Sequence, residues 1–294
     1  MSDASAAGTW KLGDVTVNRM GFGAMRTTAN PDRSVAIQVL RRAVELGVNH
    51  IDTAAFYASP GGTLGVGEGP KRFANELIRE ALAPYPDKLV ITTKVGPGED
   101  PERGFYNAKT AAELRTQVET NLRQLGLDCL DVVNLRIMKK PGEDSIAERF
   151  SWLADLRDKG LIRQLGVSNV RADHVDEALE IAPIVCVQNS YAIDLRRDED
   201  PLISSLAERG IAYVPFFAIA GESREGGAAP DHSDAVQAIA TAHGVTPAQV
   251  RLAWTLHRSP NVLGIPGTGN PDHVEENIAA AALELSPEEL AALN

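Results

Sequence analysis

Short apolar runs rich in Val, Ile and Leu recur along this chain, and an amphipathic stretch follows each of them. The runs are residues 20–25 (MGFGAM), 48–51 (VNHI), 89–95 (LVITTKV), 130–137 (LDVVNLRI), 162–169 (IRQLGVSN), 184–189 (IVCVQN), 211–217 (IAYVPFF) and 262–268 (VLGIPGT). Unbroken apolar character over so few residues is what a strand buried on both faces requires. The segments between them space their apolar side chains as a helix packed on a sheet does. They predict helices starting near Asp32-Arg33-Ser34 and over residues 71–82, 109–125, 146–159, 173–181, 200–209, 231–243, 247–257 and 272–282. Gly47, Gly126, Gly160 and Gly210 stand where helix-ending glycines belong. Thr246-Pro247-Ala248-Gln249 and Ser286-Pro287-Glu288-Glu289 each carry a capping hydroxyl, a first-turn proline and a third-position Gln or Glu. Strict alternation leaves an open doubly wound sheet or a closed barrel. Eight units favour the barrel, so the expected fold is α/β, a (β/α)8 TIM barrel forming one domain over residues 1–294. Ahead of it, residues 9–19 alternate weakly about Gly13-Asp14 and predict an N-terminal β-hairpin.

Composition narrows the function classes. A chain of 294 residues, 44% apolar, can bury a large core without disulfides or structural metal. Its two cysteines, Cys129 and Cys186, lie in apolar runs and read as buried free thiols in a reducing compartment. No CxxC or HExxH spacing occurs, so no metal site is expected. A formal net charge of −11 argues against broad binding to nucleic acid or to anionic membrane surfaces. The first ten residues show no basic-then-apolar leader, and no apolar run approaches the roughly 20 residues that span a bilayer. A cytoplasmic protein acting on a small molecule is the expectation. Three long loops follow strand C-termini, at residues 58–69, 96–108 and 218–230. In a barrel that face carries the sites, and these loops read as mobile covers over one.

The chemistry concentrates at two of the strand ends. HIDTAAFY, residues 50–57, runs from a strand into a loop holding Asp52 and Tyr57, and 37 residues after Tyr57 the next strand ends on Lys94. A phenol is a poor acid at neutral pH, with a reference pKa of about 10, and a neighbouring ammonium favours its phenolate. Asp52 would hold Lys94 in place and Tyr57 would serve as general acid. A merely structural Asp52–Lys94 ion pair beside a packed tyrosine is the competing reading of these three residues alone.

HIDTAAFY, TTKV, GVSN, VQNSY and IPGT followed by EEN resemble, in order and spacing over nearly the whole chain, the aldo-keto reductases. The resemblance implies a (β/α)8 barrel and NADPH-dependent reduction of a small-molecule carbonyl substrate, aldehyde or ketone, without a Rossmann fold. No GxGxxG follows the first strand. By position it makes Asp52, Tyr57 and Lys94 catalytic. Arg136 stands where the family's usual histidine would be, free to donate to the carbonyl oxygen, to bind an anionic substrate group, or to leave a weak catalyst. The run NLR, residues 134–136, resembles the branch that includes pyridoxal reductases, which makes pyridoxal the leading substrate. Ser168, Asn169 and Gln188 match the groups that hold the nicotinamide carboxamide, and Phe216 the aromatic that stacks on its ring. The segment Gly264 to Asn270, with Ile265, Gly267 and Thr268, opens a helix whose N–H groups suit the adenosine 2′-phosphate. Glu276 and Asn277 match the adenine contacts, and His273 takes the place of a basic residue. Gly267 stands where some members have lysine, so NADPH is the expected cofactor while NADH stays open. The alternative from another class is a cofactor-binding redox sensor or regulatory subunit. Oligomeric state is not set by these features.

Overall fold

The computed structural model describes residues 3–100, 102–138, 144–195, 199–219 and 232–294. β1 (Thr9–Leu12) and β2 (Val15–Asn18) pair antiparallel around Gly13, whose φ of 65° suits only a residue free of a Cβ clash. β3 (Phe22–Gly23) leads to α1 (Arg33–Glu45), capped by the Asp32 carboxylate, which accepts from the Ser34 N–H. β4 (His50–Asp52) follows, then a short antiparallel pair, β5 (Ala58–Ser59) with β6 (Arg72–Phe73), then α2 (Ala74–Leu82). β7 (Val90–Val95) is followed by a second such pair, β8 (Pro97–Asp100) with β9 (Gly104–Asn107), and by α3 (Ala111–Leu125). Next come β10 (Leu130–Arg136) with α4 (Ala147–Asp158), β11 (Ile162–Ser168) with α5 (Ala172–Ile181), and β12 (Cys186–Gln188) with α6 (Asp200–Glu208). β13 (Ala212–Tyr213), α7 (Asp234–His243), α8 (Pro247–His257), α9 (Pro271–Ala279) and α10 (Pro287–Ala292) complete the order.

Seven parallel strands form the ring in the order β13-β12-β11-β10-β7-β4-β3. The expected eighth strand, residues 262–268, makes no continuous ladder, because Pro266 has no N–H to give and two glycines flank it. It closes the ring through separate bonds. Leu263 N–H donates to Tyr213 O at 2.9 Å on one side, and Gly264 N–H donates to Arg19 O at 2.8 Å on the other. Gly21 N–H returns a bond to Gly264 O at 2.8 Å. The barrel is thus closed as expected, with a bridged segment in place of one strand. Leu12 and Val17 of the hairpin are buried with Val90, Val132, Cys186, Ala212 and Leu263, which lie at or near the starts of their strands. The hairpin therefore stoppers the N-terminal end of the barrel, and the opposite end is left for a site.

The helices lie where their periodicity put them, with physical exceptions. The helix expected over 71–82 starts at Ala74, because residues 72 and 73 are drawn into β6. The one expected over 272–282 is α-helical only to Ala279 and tightens into a 3-10 turn over Ala280–Ala282. The stretch 96–108, read above as a mobile loop, is mostly an ordered hairpin. Asp100 Oδ1 accepts the N–H groups of Glu102 and Arg103, and Arg103 stacks 4.1 Å from the Tyr106 ring. Residues 220–230 of the third expected loop lie outside the described residues. Cys186 is fully buried, and burial pushes its thiol up to about 12. Cys129, expected to be buried, is only half-buried. Among the described residues no helix is long and apolar enough to cross a membrane, and no cluster of three metal-ligating side chains occurs.

His50, in β4, is fully buried against Gly21, where a Cβ would lie 2.1 Å from the imidazole. Burial lowers its pKa to about 4, and its Nε2 has no partner. The unfolded chain therefore takes this proton first as pH falls. The contribution is complete above the unfolded value of about 6.5 and is lost as pH falls towards 4. Urea denaturation at pH 7 and pH 4.5 will show a pH-dependent loss in the wild type that is smaller in His50→Leu by about 3 kcal/mol at most. Equal losses in both proteins would remove His50 from the acid response.

Candidate active site

Five neighbouring strands of the barrel end on polar side chains. Asp52 is the last residue of β4, Arg136 of β10, Ser168 of β11 and Gln188 of β12, while Lys94 is the penultimate residue of β7. The strands point the same way and the register pairs Asn134 with Lys94, Arg136 with Ser168, and Ser168 with Gln188. Residues far apart in the chain are thereby delivered to one rim.

Lys94 is 1% exposed. Its Nζ donates to both carboxylate oxygens of Asp52 at 2.7 Å and to Thr53 O at 3.0 Å. Gln188 Nε2 donates to Asp52 Oδ1 at 2.9 Å. All three ammonium donors are consumed in this buried cluster. Tyr57 presents its ring to Lys94, with Nζ 4.8 Å from the ring centroid. The amine thus meets the tyrosine as a charge over its ring. The expected convergence of Asp52, Tyr57 and Lys94 is present, with the difference that Lys94 spends its hydrogen bonds on Asp52 and Thr53.

Beneath this cluster lies a polar network that the sequence reading missed. Thr53 Oγ1 donates to Asn75 Oδ1 at 2.8 Å, Asn75 Nδ2 to Asn121 Oδ1 at 2.9 Å, and Thr93 Oγ1 to the same Asn121 oxygen at 2.5 Å. Asn75 and Asn121 are wholly buried and sit on α2 and α3. Their signal was an asparagine on the sheet-facing side of a helix, where a core side chain would otherwise stand. A satisfied buried network of this kind fixes the strand ends above it.

Above the cluster a cavity of about 890 Å³ opens at the C-terminal face of the barrel. Asp52, Tyr57, Arg136 and Phe216 line its floor side, and Ile265, Gly267, Thr268, His273, Glu276 and Asn277 line another wall. Lys94, Ser168, Asn169 and Gln188 are not part of its lining. Ser168 Oγ accepts from Arg136 Nη1 at 3.0 Å, and the guanidinium of Arg136 covers the Phe216 ring at 4.7 Å. One face of the expected stacking aromatic is therefore taken by Arg136. Asn169 has a left-handed backbone, φ 59°, and commits its Nδ2 to Ile137 O at 2.8 Å. That bond explains why an asparagine fits there on structural grounds alone.

Gly267 has no room for a side chain, since a Cβ would lie 2.3 Å from Gly23 O. Thr268 Oγ1 accepts from Asn270 N–H at 3.0 Å, and Asn270 caps α9 by accepting from Asp272 N–H. His273, Glu276 and Asn277 fall at i, i+3 and i+4 on the cavity face of that helix. Arg26, in the 3-10 turn Met25–Ala29 that follows β3, also lines the cavity, and its carbonyl lies 3.0 Å from where a Gly269 Cβ would be. Nothing in the local sequence distinguished it from a surface arginine. Exposed Phe105 and Met138 add an apolar rim.

A closed parallel barrel with an ionic cluster and an open cavity at its strand C-termini defines an α/β-barrel protein with a polar site at the expected face. Residues 19–294 match the model of the Aldo/keto reductase family, and the chain belongs to that family. It is 47% identical to pyridoxine 4-dehydrogenase of Escherichia coli (strain K12), over 98% of each chain. Its fold is similar to that of an aldo/keto reductase from Klebsiella pneumoniae solved with NADP and acetate, at TM-score 0.76 and 28% identity, covering 97% of this chain and 93% of that one. It is also similar to a thermostable aldo-keto reductase solved with the inhibitor epalrestat, at TM-score 0.77 and 28% identity, covering 97% and 98% of the two chains.

Proposed function

We propose that this chain is an NADPH-dependent reductase of small aldehydes and ketones, with pyridoxal as its leading substrate. The observation that carries the reading is the buried Lys94–Asp52 pair held against Tyr57 on the cavity side of the barrel.

The residues present fit a nicotinamide cofactor. Gln188 Oε1 is buried and accepts no hydrogen bond, while its Nε2 is fixed on Asp52. An ionised Asp52 can only accept from it, which leaves Oε1, buried outside the cavity lining, as the acceptor that a carboxamide N–H would have to reach. Ser168 and Phe216 would complete the nicotinamide end. At the other end Gly267, Thr268 and the N-terminus of α9 would take a phosphate, with Arg26 and His273 as the basic side chains, and Glu276 and Asn277 would meet the adenine.

When bound, the cofactor supplies a hydride to the carbonyl carbon. Tyr57 gives its phenolic proton to the carbonyl oxygen, which yields the alcohol, and is reprotonated from water. Lys94, which Asp52 and Thr53 O hold in place, would stabilise the negative charge left on the tyrosine. The apolar rim of Phe105 and Met138 suits a flat aromatic aldehyde. The E. coli relative is named for the alcohol of pyridoxal, and at 47% identity over nearly full length that name motivates the substrate choice.

The test is loss of reduced-nicotinamide absorbance when the purified chain meets NADPH and pyridoxal, benzaldehyde or methylglyoxal. Nucleotide binding without turnover on any carbonyl would favour the regulatory reading instead. A second expectation concerns the phosphate end. Gly267→Ala forces a methyl group against Gly23 O, an overpacking that costs about 1–3 kcal/mol. NADPH affinity, measured by calorimetric titration, should fall by about 10-fold or more. Unchanged affinity would place the phosphate elsewhere.

A further inference from the structure

Arg136 lies between two side chains assigned above to the nicotinamide. Its Nη1 is bonded to Ser168 Oγ at 3.0 Å and its guanidinium carbon stands 4.7 Å over the Phe216 ring. The register of β10 against β11, which sets Arg136 opposite Ser168, puts it there. Neither contact neutralises it, and among the described residues no carboxylate pairs with it. The two nearby strand-end charges, Lys94 and Asp52, are bonded to each other at 2.7 Å and cancel as a pair. This rim therefore carries one uncompensated positive charge at the place assigned to the nicotinamide ring.

We infer that Arg136 makes the site discriminate between the redox states of its cofactor, holding the reduced form in preference to the oxidised one. The inference rests on the nicotinamide reading given above. The oxidised ring is a cation and the reduced ring is neutral, while the phosphates of the two forms are the same. Any attraction of Arg136 to phosphate thus cancels in the ratio of the two dissociation constants, and the ratio isolates the charge of the ring. A ring stacked on the free face of Phe216 would lie within about 10 Å of the guanidinium, and like charges at that range repel appreciably at an effective dielectric constant of about 20. A histidine at this position can be neutral near pH 7, whereas arginine cannot lose its charge. The consequence is directional. NADPH enters a site that suits it, and the NADP+ left after hydride transfer faces a fixed cation that speeds its release.

Calorimetric titration of the full chain with NADPH and with NADP+ tests this in wild type, Arg136→Met and Arg136→Lys, each checked for fold by circular dichroism. The ratio of the NADP+ to the NADPH dissociation constant should fall by about 10-fold or more in Arg136→Met, mainly through tighter NADP+ binding. Arg136→Lys, which keeps the charge, should stay within about 3-fold of wild type. An unchanged ratio in Arg136→Met overturns the inference. So does a fall in Arg136→Lys as large as in Arg136→Met, because shape and not charge would then be responsible. Failure of wild type to bind either nucleotide would instead sink the cofactor reading beneath it, a result plainly different from an unchanged ratio.

Discussion

Tyr57→Phe lowers kcat for aldehyde reduction by about 10²–10⁴, the usual loss when a positioned general acid is removed. The variant keeps the ring that Lys94 faces at 4.8 Å and the edge-to-face contact with Phe56 at 5.2 Å, so the fold has no reason to change. NADPH affinity should also hold, since the proposed cofactor contacts lie on other residues. Single-turnover kinetics with saturating NADPH and pyridoxal separate the chemical step from binding. Wild-type turnover in Tyr57→Phe would take the phenol out of the mechanism and leave Lys94 and Asp52 as a structural pair.

Lys94→Met is expected to damage both stability and activity. It leaves the Asp52 carboxylate 5% exposed, with only the Gln188 amide donating to it among the bonds described here. Removing one partner of a buried ion pair typically costs about 3–5 kcal/mol, because the remaining charge is left unsatisfied. The urea midpoint should fall accordingly at pH 7. The double variant Lys94→Met/Asp52→Leu removes the stranded charge as well, and should recover much of the stability but none of the turnover. Recovered activity in that double variant would show that the pair only braces the barrel. A stability loss under about 1 kcal/mol in Lys94→Met would mean that water reaches Asp52 readily and that the site is not dry.

Much of this architecture was legible before any coordinates. The strand and helix periods are local properties, so the barrel, the N-terminal hairpin and the strand-end positions of Asp52, Lys94, Arg136, Ser168 and Gln188 could all be read from patterning. Tyr57 was legible because it sits five residues past Asp52 in a loop that leaves a strand. The hairpin over 97–107 was hidden by Gly, Pro and charged residues, which read as a loop unless their turn bonds are seen. The network of Thr53, Asn75, Thr93 and Asn121 was hidden because an asparagine on a helix's sheet-facing side signals burial but not the partners, on other elements, to which it bonds.

Sequence alone determined most of the barrel's strands and helices, their order and which side chains stand at the ends of parallel strands, because side-chain direction in a strand and in a helix follows from backbone geometry one turn at a time. Tertiary structure alone decided that Lys94 spends its donors on Asp52 and Thr53, that Arg136 leans across Ser168 and Phe216, and that Arg26 joins the far wall of the cavity. Those facts depend on register between strands and on the closure of the ring, where residues from 32 to more than 200 positions apart meet, and no local period encodes such distances.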